Sequence, residues 1–270
     1  MRPGVLATVQ DLGRKGLQHL GIVPGGAMDP MSHRIANALV GNPAQAATLE
    51  VGLSGPELAF EDDALIALHG ARFAAEIDGA PLPHSRPVLA RGGARLRIAR
   101  AGAGCFGYLA VAGGIDVRPV LNSRSTYLAG GFGGSRGRLL QRDAVLPLAP
   151  DAAALGADRF ARATRRRRAI AAGRCQTVAW FAPAATLPEH DAPVVRVVEG
   201  VHAGLFDEAA RVTFFAERWR IAPDSNRMGF RLLGSKLGLA SPAEILSQAV
   251  CLGTVQVPPS GQPIVLIADH

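Results

Sequence analysis

Short apolar runs rich in β-branched residues make up most of the chain, and Gly, Pro and Asp separate them. Runs of this length between turn-forming residues are typical of β-strands, so the pattern predicts a mainly β protein. Many short strands with few helices between them favour barrels or sandwiches. The predicted strands are Leu58 to Phe60, Ala64 to Leu68, Val88 to Ala90, Arg95 to Ala99, Phe106 to Ala112, Val194 to Val198, Val212 to Phe215, Thr254 to Val257 and Ile264 to Ala268.

A few segments carry helix signals instead. One helix is predicted from Asp29 as N-cap and Pro30 at the first helical position to a stop at Gly41 and Asn42. A second is predicted from Ser241, because Pro242 and Glu244 complete a capping box ahead of an apolar pair. A third, weaker pattern covers His202 to Ala210.

The length of 270 residues and the hydrophobic content of 48% suit two compact lobes. We predict a first lobe over 1–150, an Ala/Arg-rich linker over 151–193 and a second lobe over 194–270. The second lobe is small, and its last apolar run, Ile264 to Ala268, has no following turn or partner. The expectation is therefore that this lobe is incomplete at its C-terminus.

Charge and composition narrow the possible partners. The net charge is +7, and Arg165 to Arg168 form a basic run of the kind that binds phosphate backbones. The run lies in an Ala/Arg-rich segment that favours a solvated linker or an exposed helix, and aromatic residues make up only 5% of the chain. No nucleic-acid partner is predicted. Without a membrane-length apolar run or a signal peptide, no membrane association is predicted and the expected location is the cytoplasm.

Two other site types find no support in the sequence. The histidines and the three cysteines lack the spacing of metal ligands, so no metal site is predicted. Gly102 to Gly107 fits the Gly-x-Gly-x-x-Gly pattern of dinucleotide-binding proteins. The following residues, Tyr108 to Gly114, read as a strand and a turn rather than as a helix, so a hairpin is predicted there.

The segment Asn122 to Arg138 combines arginines, hydroxyl side chains and many glycines. Glycine lets backbone N–H groups approach a ligand, and the guanidinium group matches carboxylate or phosphate oxygens two at a time. The composition therefore suits anion binding. A mobile surface loop is the alternative that the same composition allows.

Five polar segments interrupt the apolar texture, and their order and spacing carry a family resemblance. The segments are Thr8 to Arg14, Gly25 to Asp29, Ser123 to Tyr127, Ser225 to Leu232 and Gln256 to Pro263. With Leu39 to Asn42, Leu49-Glu50, Tyr108 to Asp116 and Gly133 to Asp143, they closely resemble the bacterial family of 5-oxoprolinase C subunits, also called allophanate hydrolase subunit 2 or biotin-dependent carboxyltransferase-related proteins.

This resemblance implies two cyclophilin-like β-barrel lobes with a few short helices. It also implies B-like and A-like partner subunits, with which such proteins open the lactam of the small-molecule substrate 5-oxoproline to glutamate at the expense of ATP. Two alternatives stay open. One is a carboxyltransferase module that uses carboxybiotin to act on urea or a similar small nitrogen compound, with biotin as a cofactor only in that case. The other is a non-catalytic regulatory partner of a B-like protein.

The chain departs from the family pattern at a few positions. Asn122 stands where Gly is usual, Asn226 where Asp is usual, and Gln248-Ala249 where Glu-Gly is common. Asn226 lacks a carboxylate, so a base at that position would be lost, whereas a turn cap would be kept. The family's usual Gln-Thr-Thr-Gly-Gly-Tyr-Pro segment beyond residue 270 is absent.

The resemblance and the chemistry together give a set of candidate residues. Activating a lactam by phosphorylation requires guanidinium groups and exposed backbone N–H groups more than it requires a nucleophile. Arg124 and Arg227 are predicted to contact anionic groups, and Asp11 or Asp29 to transfer a proton or orient an arginine. Purely structural roles are the alternative: Asp29 as an N-cap, and Asp11 as a local ion pair with Arg14. The substrate-binding candidates are Arg14, Gly26, Ser125, Thr126, Arg136, Arg138, Asn226, Arg231 and Gln256.

Overall fold

The computed structural model describes residues 2–165, 169–172, 175–183, 195–241 and 248–270. The chain forms two compact units: Met1–Arg14 with Asp29–Pro188, and Lys15–Met28 with Glu189–His270. All strand pairs between the described residues are antiparallel. The predicted mainly β fold class is confirmed.

One antiparallel sheet dominates the first unit. In chain order its strands are β1 (Leu6–Gln10), β2 (Thr48–Gly52), β3 (Glu57–Ala59), β4 (Ala64–Ile77), β5 (Ala80–Pro81), β6 (Val88–Ala90), β7 (Arg95–Val111), β8 (Ile170–Ala172) and β9 (Cys175–Thr177). In spatial order the main path is β1-β2-β7-β4-β6-β9-β8, with β3 beside β7 and β5 beside β4.

The two faces of this sheet differ in chemistry. Alternate residues of the central strands, among them Val9, Leu49, Ile66 and Leu109, form one apolar cluster. The intervening positions of β2, β7 and β4 include Glu50, Tyr108 and His69, which are also buried. A polar layer therefore lies inside the fold on the face opposite the apolar core.

The helix α1 (Pro30–Leu39) covers that polar face, as its contacts with β4 and β7 show. Its predicted start is confirmed, because the Asp29 carboxylate accepts hydrogen bonds from the N–H groups of Met31 (3.1 Å) and Ser32 (3.0 Å). Pro30 occupies the first helical position as expected. The helix thereby fixes Asp29 at the edge of the polar layer.

The structure differs from the predicted division at the linker. The helix α2 (Ala152–Thr164) lies within the predicted linker and contacts β4, and β9 pairs with β6 of the same sheet. Ala152, Gly156 and Phe160 recur at a helical spacing and are buried, so the helix has an apolar stripe that binds it to the first unit. The described residues up to 183 thus extend the first unit.

The second unit contains a small sheet and one short helix among its described residues. The strands β10 (Arg220–Ile221), β11 (Gly229–Leu233), β12 (Val255–Gln256) and β13 (Ile264–Leu266) have the order β10-β11-β13-β12. The helix α3 (Glu208–Ala216) includes Val212 to Phe215, so the predicted strand there is wrong. The Asp207 side chain caps α3 by accepting from the Ala210 N–H at 2.6 Å, a helix start that outweighs the β-forming residues.

Other predicted elements need shorter corrections. Arg95 to Ala99 and Phe106 to Val111 belong to the single long strand β7, which ends one residue before the predicted Ala112, so no hairpin turn separates them at Gly102. Residues 195–198 form no strand, and the weak helix pattern from His202 contains a 3-10 turn at Ala203–Leu205 before α3. The helix predicted from Ser241 and most of the run Arg165 to Arg168 lie outside the described residues.

The described part of the chain lacks two kinds of feature. None of its helices has the length and apolar character needed to cross a bilayer. No group of three or more His, Cys, Asp or Glu residues within it is arranged to hold a metal ion.

Candidate functional site

The Asp11 carboxylate is the centre of a buried hydrogen-bond network in the first unit. It accepts from the Gly13 N–H (2.8 Å), the Ser123 hydroxyl (2.7 Å), the Arg124 N–H (2.6 Å) and the Ser125 hydroxyl (2.5 Å). Hydrogen bonds to a carboxylate are shorter and stronger than those between neutral groups. Asp11 therefore anchors the Ser123–Ser125 segment to the end of β1.

Arg14 supports the same segment from the interior. Its side chain is 1% exposed, and its Nε donates to the Val120 carbonyl at 3.2 Å while Nη2 donates to the Ser125 carbonyl. The guanidinium carbon lies 4.8 Å from the ring centroid of Phe132. Arg14 is thus part of the internal support of the loop.

Thr126 joins this loop directly to β1. Its N–H and its hydroxyl both donate to the Val9 carbonyl, at 2.9 and 3.0 Å. Gln10 donates from its side-chain amide to the Thr126 carbonyl at 3.2 Å. Because these groups are buried and mutually bonded, Ser125 and Thr126 define the shape of the loop.

The glycines that follow pack tightly on the same residues. Gly133 and Gly134 have φ values of +73° and +51°, which favour glycine. A Cβ atom at Gly133 would overlap the Ser125 carbonyl and the Arg14 guanidinium, and one at Gly134 would overlap the Thr126 side chain. Close packing explains these glycines without a ligand. Asn122 has φ +61°, which explains why Asn can stand where the family uses Gly.

Three of the candidate arginines lie in the first unit and are accessible. The Arg124 side chain is 39% exposed, with Nη2 3.0 Å from the Asp116 carboxylate and Nε donating to the Val117 carbonyl at 2.9 Å. Arg136 and Arg138 are exposed. Arg124 combines a main chain fixed by Asp11 with a guanidinium that a ligand can reach, which is the arrangement an anion-binding residue needs.

Asp29 belongs to a separate network beneath α1. Its N–H donates to the Tyr108 hydroxyl at 2.7 Å, and that hydroxyl donates to Glu50 Oε2 at 2.8 Å. Burial and the neighbouring Glu50 carboxylate raise the pKa of Tyr108 well above its usual value. Strand register places Glu50 opposite Tyr108 and Tyr108 opposite His69.

The sequence analysis missed this row of Glu50, Tyr108 and His69. Each is a polar side chain within an apolar strand, and this is the one signal that could have identified it. Their alignment depends on strand register, which no local motif encodes.

Arg227 of the second unit forms a paired ion bridge. Its Nε and Nη2 lie 3.1 and 3.2 Å from the two oxygens of Asp269, and the side chains are 12% and 4% exposed. Its Nη2 also donates to the carbonyl of Gly26, which is buried in the same unit. A guanidinium held in this way stabilises the second unit.

The other candidates of the second unit lie near its surface. Asn226 Oδ1 accepts from the Met228 N–H at 2.8 Å, so Asn226 caps a turn as Asp would. Arg231 Nε lies 3.4 Å from an oxygen of Asp224 in an exposed pair. Gln256 is exposed on β12.

The candidates therefore fall into three groups. Asp11, Arg14, Ser125, Thr126 and the main chain of Arg124 share one network. Asp29 lies in the network of Tyr108 and Glu50. Gly26 and Arg227 are hydrogen-bonded within the second unit.

The chain has two units built on antiparallel sheets, and they carry the polar segments that the sequence analysis singled out. This combination defines the class of protein, a carboxyltransferase domain. Residues 20–270 match the family model described as carboxyltransferase domain, subdomain A and B, and the chain belongs to this family. It is 37% identical over 269 residues to the C subunit of 5-oxoprolinase from Escherichia coli, a match that covers 100% of this chain and 79% of that protein. The resemblance found in the sequence is confirmed.

Larger proteins contain similar regions. Urea amidolyase of Lachancea kluyveri is 34% identical over 236 residues, which cover 87% of this chain and 12% of that protein. The crystal structure of the K. lactis urea amidolyase superposes with a TM-score of 0.81 at 29% identity, covering 99% of this chain and 16% of that chain. The chain thus corresponds to a small part of these longer proteins.

Proposed function

We propose that this protein is the C-type subunit of an ATP-dependent 5-oxoprolinase, which opens the lactam of 5-oxoproline to give glutamate. The observation that carries the proposal is the match to the C subunit of 5-oxoprolinase, which spans the whole of this chain and 79% of the relative. The matches to urea amidolyase cover only 12% of that protein. Similarity over most of a relative's length supports a shared role better than similarity to one of its regions.

The chemistry of the reaction fits the accessible arginines. A lactam resists water because amide resonance weakens the carbonyl as an electrophile, and phosphorylation of its oxygen in the imidic form removes that protection. Such a step requires groups that bind a carboxylate and a transferring phosphoryl group. Arg124 would contact an anionic substrate group, with the exposed Arg136 and Arg138 as further anion contacts. ATP would bind in the assembled complex.

The carboxylates then have supporting roles. Asp11 orients Arg124 by accepting a hydrogen bond from the main-chain N–H of Arg124. Of the two roles expected for Asp11, proton transfer and orientation of an arginine, this contact favours orientation. Asp29 caps α1 and donates its N–H to Tyr108. Neither carboxylate is needed as a nucleophile when the phosphoryl acceptor is the lactam oxygen.

The proposal includes B-like and A-like partner subunits and a cytoplasmic location. Co-expression of this chain with candidate partner chains, followed by measurement of ADP release with and without 5-oxoproline, tests it. We expect ADP formation that depends on the lactam and on all chains. A stable complex whose ADP release does not respond to 5-oxoproline would overturn it.

Carboxyl transfer is the second candidate, favoured by the description of the matching family and by the superposition on the urea amidolyase structure. The accessible guanidiniums would suit a carboxylate as well as a phosphate. Neither Lys15 nor Lys236 lies in a plausible biotinylation context, so carboxybiotin would be carried outside these 270 residues. Carboxylation of urea by the complex with a biotinylated carrier would support this candidate. Tight binding to a B-like partner without turnover of either kind would indicate a regulatory protein.

A further inference from the structure

His69 in β4 has a buried ring nitrogen that forms no hydrogen bond with any of the described residues. The residue is 1% exposed, its Nδ1 lies 2.8 Å from the Ser85 hydroxyl, and its Nε2 has no hydrogen-bond partner there. A buried polar atom without a partner carries a free-energy cost, and such atoms are often found where function requires them. His69 Nε2 is therefore a candidate for contact with a ligand.

The main chain of Ser85 is fixed beside this ring. Its residue has φ +57°, a conformation that is uncommon for a serine, and its N–H donates to the Leu68 carbonyl at 2.8 Å. The Ser85 carbonyl in turn accepts from the Ala182 N–H at 2.9 Å. These two bonds fix the main chain of Ser85, so its hydroxyl meets His69 Nδ1 from a defined position and orients the ring.

The carboxylates near α1 and β1 are poor alternatives for proton transfer. Asp29 accepts from two N–H groups and from the Ser32 hydroxyl at 2.5 Å. Asp11 accepts from four donors. These hydrogen bonds occupy most of the lone pairs of each carboxylate. By contrast, burial lowers the pKa of His69, so its imidazole is neutral near pH 7 and able to accept a proton.

We propose that His69 is a catalytic residue that exchanges a proton with the nitrogen of the lactam or ureido substrate, and that Ser85 is its positioning residue. The inference rests on the proposed function and deepens it. This role requires the tautomer in which His69 Nδ1–H donates to Ser85 Oγ, which leaves the lone pair on Nε2. In ring opening, Nε2 first takes a proton from the water that attacks the activated carbonyl carbon, so a water O–H bond breaks, the Nε2–H bond forms and the new C–O bond forms. The imidazolium then gives that proton to the leaving nitrogen, directly or through one water molecule: the Nε2–H bond and the ring C–N bond break, the new N–H bond forms, and His69 returns to its neutral form.

The surroundings support a change of charge at this ring. The negative charge of Asp29, at the start of α1, opposes the effect of burial and favours the imidazolium. Tyr108 lies opposite His69 on β7, and Glu50 follows on β2. His84 approaches the same hydroxyl, with its Nδ1 3.4 Å from Ser85 Oγ. The β4 register shifts directly after His69, between Gly70 and Arg72, and such bulges often accompany active sites.

The tautomer can be measured without any turnover. Nitrogen-15 NMR of histidine-labelled protein at neutral pH should show His69 protonated at Nδ1 and bare at Nε2, and Ser85→Ala should turn this into a mixture of tautomers. His69→Gln identifies the signals. Detection of the Nε2–H tautomer in the wild-type protein would overturn the proposal.

Kinetic measurements on the assembled complex provide a second test of the proposal. We expect His69→Gln to lower kcat at least ~100-fold with little change in KM, since general acid–base catalysis commonly contributes that much. Ser85→Ala should lower kcat less and move the pH profile. The matched control is His202→Gln in the second unit, which should leave kcat unchanged. Full activity of His69→Gln overturns the proposal. A wild-type complex inactive on both substrate classes overturns the proposed function instead, while the NMR result still decides the state of His69.

Discussion

The carboxylate of Asp11 accepts a hydrogen bond of 2.6 Å from the main-chain N–H of Arg124, 113 residues further along the chain. The same carboxylate accepts from the hydroxyls of Ser123 and Ser125. A residue at the end of β1 therefore determines the backbone position of the most promising anion-binding arginine. Orientation of Arg124, rather than proton transfer, is the role that this contact supports for Asp11.

Asp11→Asn should weaken this network strongly. The amide keeps one acceptor oxygen but turns an NH2 group toward donors that need an acceptor, so we expect the free energy of unfolding to fall by about 3 kcal/mol. Urea denaturation would measure the loss. Asp116→Asn is the matched control, because its pair with Arg124 is exposed and should contribute less than ~1 kcal/mol. Equal stability of the two variants would contradict the anchoring role.

Arg124→Ala should separate function from stability. Its side-chain pair with Asp116 is partly exposed, so we expect the free energy of unfolding to change by less than ~1 kcal/mol. Turnover by the assembled complex should fall at least ~100-fold, because a charged donor to the reacting group is lost. Arg142→Ala, which removes another exposed arginine of the same unit, should leave turnover intact. Loss of soluble Arg124→Ala protein would show that Arg124 is structural.

The sequence predicted those features whose causes are local. The Asp29-Pro30 start of α1 was identified correctly because capping depends on neighbouring residues. The strands β1 and β2 were missed although both are almost fully buried. In β2, a central strand, the polar residues Thr48 and Glu50 interrupt the apolar run and hide the strand pattern.

In the candidate site, too, the sequence predicted individual residues but not their long-range partners. The sequence singled out Asp11, Ser125 and Thr126 as candidates. It could not show that Asp11 is hydrogen-bonded to Ser125, or Thr126 to Val9, because each pair lies more than 100 residues apart along the chain. It assigned Arg227 to substrate without its partner Asp269, which lies 42 residues away. Long-range pairing of this kind is decided by packing and register, which single-sequence patterns do not contain.

Gly134→Ala should be far more destabilising than Gly131→Ala. Both glycines have positive φ, +51° and +67°, so the two substitutions share a backbone penalty of about 1 kcal/mol. A Cβ at Gly131 meets nothing within 4 Å, whereas one at Gly134 overlaps the Thr126 side chain. We expect a loss of about 3 kcal/mol for Gly134→Ala. Thermal unfolding of both variants would test whether this loop is packed as described, and similar melting temperatures would contradict it.

Breaking the ion pair of Arg227 and Asp269 should destabilise the second unit. Removal of one partner leaves a buried charge, so Arg227→Met should cost about 3–5 kcal/mol. The double variant Arg227→Met with Asp269→Leu should recover much of that loss. In a Trp180→Phe background the fluorescence of Trp219, which lies in this unit, would report its unfolding.

The same double variant decides between the two roles of Arg227. If its fold is kept and turnover of the complex persists, Arg227 is a structural residue. If turnover is lost from a folded double variant, a direct contact with substrate is supported. Wild-type stability of the single variant Arg227→Met would contradict the structural role.

His84 should make the first unit sensitive to acid. Burial and the neighbouring His69 lower the pKa of His84 from 6.5 to about 4, with Arg72 acting in the same direction. Between these two values the unfolded chain binds the proton and the folded protein does not, so stability is complete above pH 6.5 and falls as the pH drops toward 4. The slope from this one group is at most ~1.4 kcal/mol per pH unit. Burial also lowers the pKa of His69, so protonation of His69 adds to the loss of stability as the pH falls below 6.5.

Urea denaturation of the wild type and of His84→Gln at several pH values would measure this contribution. We expect the variant to lose less stability than the wild type as the pH falls below 6.5, because Gln cannot bind the proton. Ser85→Ala serves as the control, since it alters the same contact without removing a titrating group. If His84→Gln and the wild type lose stability in parallel, protonation of His84 is not what weakens the fold in acid.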